Sequence, residues 1–193
     1  VGADAVPIPI PGKPTILKRK TLAATRHFRI ESLDLLFRNG ARRTFERLVR
    51  GSGGGAVLIV PLLDDNTVLM VREYAAGVDR YEIGLPKGKI EPDEPVLEAA
   101  NREMMEEIGY AGNDLRLLTS LTVAPGYLEH ATDIVLAMDL YAEKRPGDEP
   151  EELEVVPWRL DRLHEHLAAG DCTEARSIAA LFLTREFLGN AKP

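Results

Sequence analysis

The chain has 193 residues, with 31 acidic against 24 basic side chains and a net charge of −7. That length holds one full domain with room for a small appended one, and the acidic balance argues against a general nucleic-acid-binding surface. No apolar run is long enough for a membrane span, and the single cysteine, Cys172, excludes an internal disulfide and fits a reducing, cytoplasmic setting.

Residues 1–14 are rich in Pro and Gly and read as an extended lead-in without the basic and apolar regions of a signal peptide. Strands follow from Thr15 to Arg50. Phe28 and Ile30 alternate, then Leu33, Leu35 and Phe37 alternate in the opposite phase, which predicts a bulge or a break. Phe28 is expected in the core. Asn39-Gly40 predicts a two-residue hairpin turn, with Arg42 to Val49 as the return strand. So small a sheet buries little by itself and should pack on the main domain, a partner subunit, or both. Gly51 to Gly55 reads as a linker and divides the chain into 1–50 and 51–193.

Ala56 to Leu63 predicts a buried strand with Pro61 near its end, and Thr67 to Tyr74 a second strand across an Asp-Asp-Asn turn. Arg72 and Arg80 flank the loop that follows. A helix is expected from about Pro95 to Ile108, ended by Gly109. Leu115 to Val123 and Thr132 to Tyr141 predict strands, and Glu143 to Glu154 a charged loop. Trp158 to Ala169 predicts a helix closed by Gly170. Asp171 to Glu174 has the spacing of a capping box before a last helix carrying Ile178, Leu181, Phe182 and Arg185 on one side. The sum is a mixed α/β domain with a sheet between helices.

The helix after Gly88 carries the chemistry. At about 100° per residue, Glu106 and Glu107 fall roughly 60° and 40° to either side of Glu103, so three carboxylates share one stripe. Leu97, Met104 and Ile108 group on another side, suited to a core. Anions so close repel unless a cation sits among them, and an oxygen-only donor set points to Mg²⁺ or Mn²⁺.

Gly88, Glu94 and the run Arg102-Glu103-Met104-x-Glu106-Glu107-x-Gly109-Tyr110 together resemble the Nudix box at every defined position. The resemblance implies a Nudix-type α/β/α sandwich with a small N-terminal antiparallel sheet, and a metal-dependent hydrolase of nucleoside diphosphates joined to another moiety. It implies that Glu103, Glu106 and Glu107 hold the metal, that Arg102 orients a glutamate, and that Gly88 permits a tight turn.

Glu82 to Gly88, and Pro125 fifteen residues beyond the box, are similar to the ADP-ribose pyrophosphatase branch of that family. There, the residue matching Lys87 gives its backbone carbonyl to a metal, and Glu82 and Pro125 become candidates for substrate contact. The segment Ala124 to Glu129 is similar to a loop whose acidic residue is a proposed general base, which makes Glu129 the matching position; one of the box trio Glu103, Glu106 and Glu107, with Glu106 as the named candidate, is the alternative. Lys13 to Leu17, Arg72-Glu73-Tyr74, Gly147 to Pro150 and Glu174-Ala175-Arg176 extend the likeness to the bacterial branch acting on ADP compounds. That branch implies ADP-ribose, diadenosine di- and triphosphates and reduced nicotinamide dinucleotide as substrates, and a homodimer using the N-terminal sheet. Arg72 and Arg80 are candidate phosphate clamps. A ligand sensor that does not cleave, and a hydrolase of another nucleotide or of capped RNA, are the competing readings.

Overall fold

The computed structural model describes residues 12–49 and 55–190. The expected lead-in up to residue 11 and the linker residues Gly51 to Gly54 lie outside the described residues. The chain forms two compact units, residues up to Gly51 together with Ala124–Glu129, and the remainder. Among the described residues no helix is long and apolar enough to cross a membrane.

The first unit is a three-stranded antiparallel sheet in the order β1 (Thr15–Ala24), β2 (Arg29–Leu36), β3 (Arg42–Val49). β2 runs unbroken, and its register with β3 has no shift; the irregularities lie in the pairing of β1, at Ile16/Lys18 and Thr21/Ala23. The apolar phase change expected to mark a bulge has another cause. Glu31 takes an inward position in β2 and is buried with Leu33, while Ile30 faces out. Phe28 is exposed rather than in the core.

The β2–β3 loop is also one residue longer than expected. Phe37 N–H bonds to Ala41 C=O (2.9 Å) and Gly40 N–H to Phe37 C=O (3.0 Å), leaving three residues in the loop. Gly40 has φ +80°, as such a loop requires. Segment 124–129 joins this sheet through its backbone. Leu48 N–H donates to Tyr127 C=O (2.8 Å), and Glu129 N–H to Leu48 C=O (2.9 Å).

The second unit is an α/β/α sandwich. One sheet has the order β10 (Glu154–Arg159), β5 (Thr67–Ala75), β6 (Arg80–Gly84). The other has the order β7 (Lys87–Ile90), β4 (Gly55–Pro61), β9 (Ala131–Ala142), β8 (Tyr110–Thr122), with β4 and β9 parallel. The period of two in β4 and β9 feeds two cores. Val57, Ile59, Val135 and Ala137 pack against Ala99, Ala100 and Met104 of α1 (Val96–Glu107) and Ile108 at its C-cap. Leu58, Val60, Ile134 and Leu136 pack with Leu163 of α2 (Leu163–Ala169) and Ala180 and Leu181 of α3 (Ala175–Asn190). A strand covered on both faces reads as an unbroken apolar run, and β4 does. Burying Met104 contributes roughly 1.5–3 kcal/mol.

α1 matches its expected span, and Gly109 follows it with φ +75°. Leu97, assigned to its core side, is instead 39% exposed; Ala99 and Ala100 cover the sheet there. β6 and β7 replace an expected loop and turn. Both are short and polar, and pairing with β5 and β4 forms them. β10 and a 3-10 turn, Leu160–Arg162, replace the start of an expected helix, which begins only at Leu163. Pro157 fits because β10 is an edge strand. The capping box also resolves differently. Glu174, not Asp171, caps α3, its carboxylate accepting the backbone N–H groups of Arg176 (3.1 Å) and Ser177 (2.8 Å).

Candidate active site

Arg102, near the middle of α1, is the hub of the carboxylate stripe. Its Nε and Nη2 donate to the two oxygens of Glu94 at 2.8 and 3.0 Å. Nη1 donates to Glu103 Oε1 (2.7 Å) and Glu106 Oε2 (3.1 Å), and Nη2 also reaches the Lys89 carbonyl (2.9 Å). The sequence led us to expect Arg102 to brace one glutamate; it braces three. Its hydrogen bond and charge hold Glu94 below the usual carboxylate range, and the Glu94 bond in turn raises the pKa of Arg102. The cation that the stripe requires is, in this arrangement, the guanidinium.

Gly88 lies within β7 and is not among the positive-φ glycines, so it is not needed for a tight turn. It is needed for space. A Cβ there would stand 1.9 Å from Glu103 Cδ and 2.1 Å from each of its oxygens. Burial pushes Glu103 up despite Arg102. Glu107 is only 6% exposed, and burial pushes its pKa to about 8 against the opposing charge of Lys87. Lys87 N–H donates to Glu107 Oε2 (3.2 Å), and its ammonium pairs with Glu73.

Among the described residues no three acidic, His or Cys side chains stand together as a ready metal cage, and Arg102 occupies oxygens of Glu103 and Glu106. The residues nonetheless fit a hard divalent cation. The donors are oxygens, a buried carboxylate borders two cavities, and Gly88 leaves room for the Glu103 carboxylate.

A cleft of about 340 Å³ lies between Glu103, Glu106 and Glu107 and the loop carrying Asp148 and Glu149. That loop is tied to α1 by Arg145 N–H on the Met105 carbonyl (3.0 Å) and Lys144 Nζ on the Glu106 carbonyl (3.0 Å). Burial, then the charges of Glu73 and Asp148, pushes Glu149 up. A second cavity of about 370 Å³ is lined by Glu73, Lys87, Glu107, His130, Glu149 and Arg176, among others. In the sequence, Asp148, Glu149 and Arg176 stand out only as points of family likeness, with no role assigned to them. The acidic cluster after Pro146-Gly147 was the available signal.

The remaining candidates are held by other partners. Arg72 Nε bonds to Glu154 (2.8 Å). Arg80 bonds to Glu82 (2.6 Å) and Thr173 (3.2 Å). Glu82 also accepts the Thr173 N–H (3.0 Å), tying β6 to the approach of α3. Burial raises the Glu82 pKa, but these donors outweigh it and hold it low. None of the three lines either cavity. Pro125 and Glu129 belong to the first unit, where both line a hollow of about 310 Å³ with Leu33, Phe45 and Arg47. Glu129 Oε1 accepts Arg47 Nη1 (3.3 Å).

Residues 14–47 match the NudE-type Nudix hydrolase N-terminal domain, and residues 54–182 match the NUDIX domain. The chain is 50% identical to the ADP compounds hydrolase NudE of Escherichia coli (strain K12) over 176 residues, covering 91% of this chain and 94% of that one. It is 28% identical to the ADP-ribose pyrophosphatase of Bacillus subtilis (strain 168), covering 86% and 91%. A crystal structure of an ADP compounds hydrolase superposes with a TM-score of 0.86 at 46% identity, covering 96% of this chain and 99% of that one. Nudix hydrolases act with divalent metal ions, and the box that carries those carboxylates is intact here. The chain therefore belongs to the Nudix hydrolase family.

Proposed function

We propose that this enzyme hydrolyses the diphosphate bond of ADP compounds, namely ADP-ribose, diadenosine di- and triphosphates and reduced nicotinamide dinucleotide. The products are AMP and a phosphorylated remainder. The observation that carries the reading is the Glu103–Glu106–Glu107 stripe, braced by Arg102 and opening on a cleft beside Gly88. The 50% identity to an ADP compounds hydrolase supports the substrate class.

Glu103, Glu106, Glu107 and the Lys87 carbonyl would hold Mg²⁺, with Mn²⁺ as a substitute. When bound, the metal neutralises diphosphate charge and acidifies water. The chain's own groups do the rest. Arg102 fixes the carboxylates, and a carboxylate takes the proton of the attacking water. Glu129 and Glu106 are the candidates drawn from the sequence. Glu149 joins them because it borders both cavities that Glu107 lines. Arg72, Arg80, Glu82 and Pro125 remain candidates for substrate contact.

Residues 1–50 form the dimerisation element of a homodimer in this reading, and 51–193 the hydrolase domain. Ile16, Leu17, Leu22 and Phe45 are exposed on the small sheet, which supports a covering partner. The reaction would run in the cytoplasm.

The test is turnover of ADP-ribose, reduced nicotinamide dinucleotide and diadenosine triphosphate with Mg²⁺, with products identified as AMP and the complementary phosphate. Glu107→Gln should abolish metal-dependent turnover. Retained activity in that variant, or binding of all three compounds without cleavage, would refute the reading. Light scattering that reports a monomer would refute the dimer.

A further inference from the structure

We propose that Arg176 is a phosphate-binding residue of this site, a deepening that rests on the diphosphate reading above. Three carboxylates on α1 face a substrate that is itself anionic, so the chain must set a cation against the substrate beyond any metal. Besides Arg176, the cations lining the two cavities are Lys144 and Arg145 in the first and Lys87 and Lys89 in the second. Lys87 pairs with Glu73, Lys89 with Glu91 (3.5 Å), and Lys144 donates to the Glu106 carbonyl, while Arg145 belongs to the other cavity, away from Arg176. Arg102 serves Glu94, Glu103 and Glu106.

Arg176 is held differently. It stands at the start of α3 and lines the cavity that Glu107, Lys87 and Glu149 also line. Its Nε donates to Glu174 Oε1 (2.8 Å), and its Nη1 to the hydroxyl of fully buried Thr132 (3.0 Å). Among the described residues Nη2 makes no hydrogen bond. Glu174 neutralises the guanidinium only in part. The same carboxylate accepts the N–H groups of Arg176 and Ser177 and the Ser177 hydroxyl (2.9 Å). The guanidinium is thus held at two of its three nitrogens, Nε by Glu174 and Nη1 by Thr132. A pre-oriented, incompletely neutralised guanidinium at a cavity whose lining includes charged side chains is suited to a phosphate oxygen, since its donors lie in a plane and its orientation is already fixed. Thr132 Oγ1 is also 3.2 Å from His130 Nε2, so a second residue of the cavity wall shares the anchor.

The experiment measures steady-state turnover of ADP-ribose at saturating Mg²⁺ for the wild type, Arg176→Ala and Arg176→Lys, with thermal melts. It also measures inhibition by inorganic phosphate, and binding of inorganic phosphate to the Mg²⁺-loaded protein by calorimetry. Arg176→Ala should raise KM roughly 10- to 100-fold, the range for losing a charge-assisted hydrogen bond. It should weaken phosphate inhibition and binding in parallel, and methylguanidinium should restore part of the lost kcat/KM. Arg176→Lys should fall between, keeping the charge but losing the fork. An anchoring role alone would lower the melting temperature and leave KM and phosphate binding unchanged, and that result overturns the proposal. If Arg176→Ala does not fold, an unchanged KM in Arg176→Lys overturns it equally. If the wild type fails to turn over ADP-ribose, the diphosphate reading falls, and the phosphate calorimetry still decides the role of Arg176.

Discussion

Gly88 and Glu103 meet across the β7–α1 gap so closely that a methyl group on Gly88 would overlap the Glu103 carboxylate. The obstructing atoms are the far end of a flexible side chain, so Gly88→Ala should fold. Glu103 would swing away, and the box would lose one metal donor. We expect a stability loss of about 1 kcal/mol but at least a roughly tenfold weaker Mg²⁺ affinity, of the order seen when metal-supporting groups are removed. Calorimetric Mg²⁺ titration beside a denaturant melt separates the two. Wild-type Mg²⁺ affinity in the variant would remove Glu103 from the site.

Arg102 carries a second consequence. Its side chain is part-buried, and its guanidinium holds three carboxylates and one carbonyl. Arg102→Lys keeps one charge but cannot serve that many acceptors in one plane. The metal-free variant should lose about 1–3 kcal/mol, because partly buried carboxylates are left under-satisfied. Saturating Mg²⁺ should recover more stability in the variant than in the wild type, since the metal replaces a missing cation. Equal Mg²⁺-induced shifts in melting temperature in both proteins would contradict this.

How far the sequence reached follows from these residues. α1 was legible because a 3.6-residue period, a breaker at Gly109 and a dense motif coincide, and β4 because an unbroken apolar run must be covered on both faces. Gly88 was legible as a position but not in its reason, since close approach to Glu103 is a tertiary fact. β6 and β7 hold few apolar residues, and strand pairing, invisible in local sequence, makes them. Glu31 misled the phase count in β2, because a buried carboxylate paired with arginine looks like a surface residue. Arg176 has no local pattern at all; it enters the site only through α3 docking beside Thr132.

Glu174 supplies a pH dependence outside the metal site. Burial pushes its pKa up, but the Arg176 hydrogen bond and charge, with the N–H groups of Ser177 and Arg176, outweigh burial and hold it below the ordinary 4.5. A carboxyl with a lowered folded-state pKa stabilises the protein above the unfolded value, and that contribution disappears as pH falls through the folded value. Metal-free wild type should therefore lose stability as pH drops below about 4.5. Glu174→Gln should be less stable at pH 7 by about 1 kcal/mol, typical of a lost helix cap, and should show a shallower acid limb. Urea melts at pH 7 and in the acid range check both signs. An unchanged acid limb would assign the acid sensitivity to other carboxylates.

Arg47 links two carboxylates of the first unit. Nη2 meets buried Glu31 at 3.1 Å, and Nη1 meets Glu129 at 3.3 Å. Arg29 and Arg19 stand farther from Glu31, at 3.4 and 3.8 Å, and are more exposed. Arg47→Ala should therefore leave a buried carboxylate poorly compensated and destabilise the small sheet by about 2–3 kcal/mol, below the full penalty because two arginines remain. Segment 124–129 hangs on the same strand through Leu48. Its protection should fall with that of the sheet. In hydrogen exchange, Leu48 and Glu129 should lose protection together in Arg47→Ala, while α1 amides keep theirs. Glu31→Gln tests the cause, since it removes the buried charge itself. In the double variant with Arg47→Ala, much of the lost protection should return, whereas additive losses would show that Arg47 acts through packing and not through Glu31.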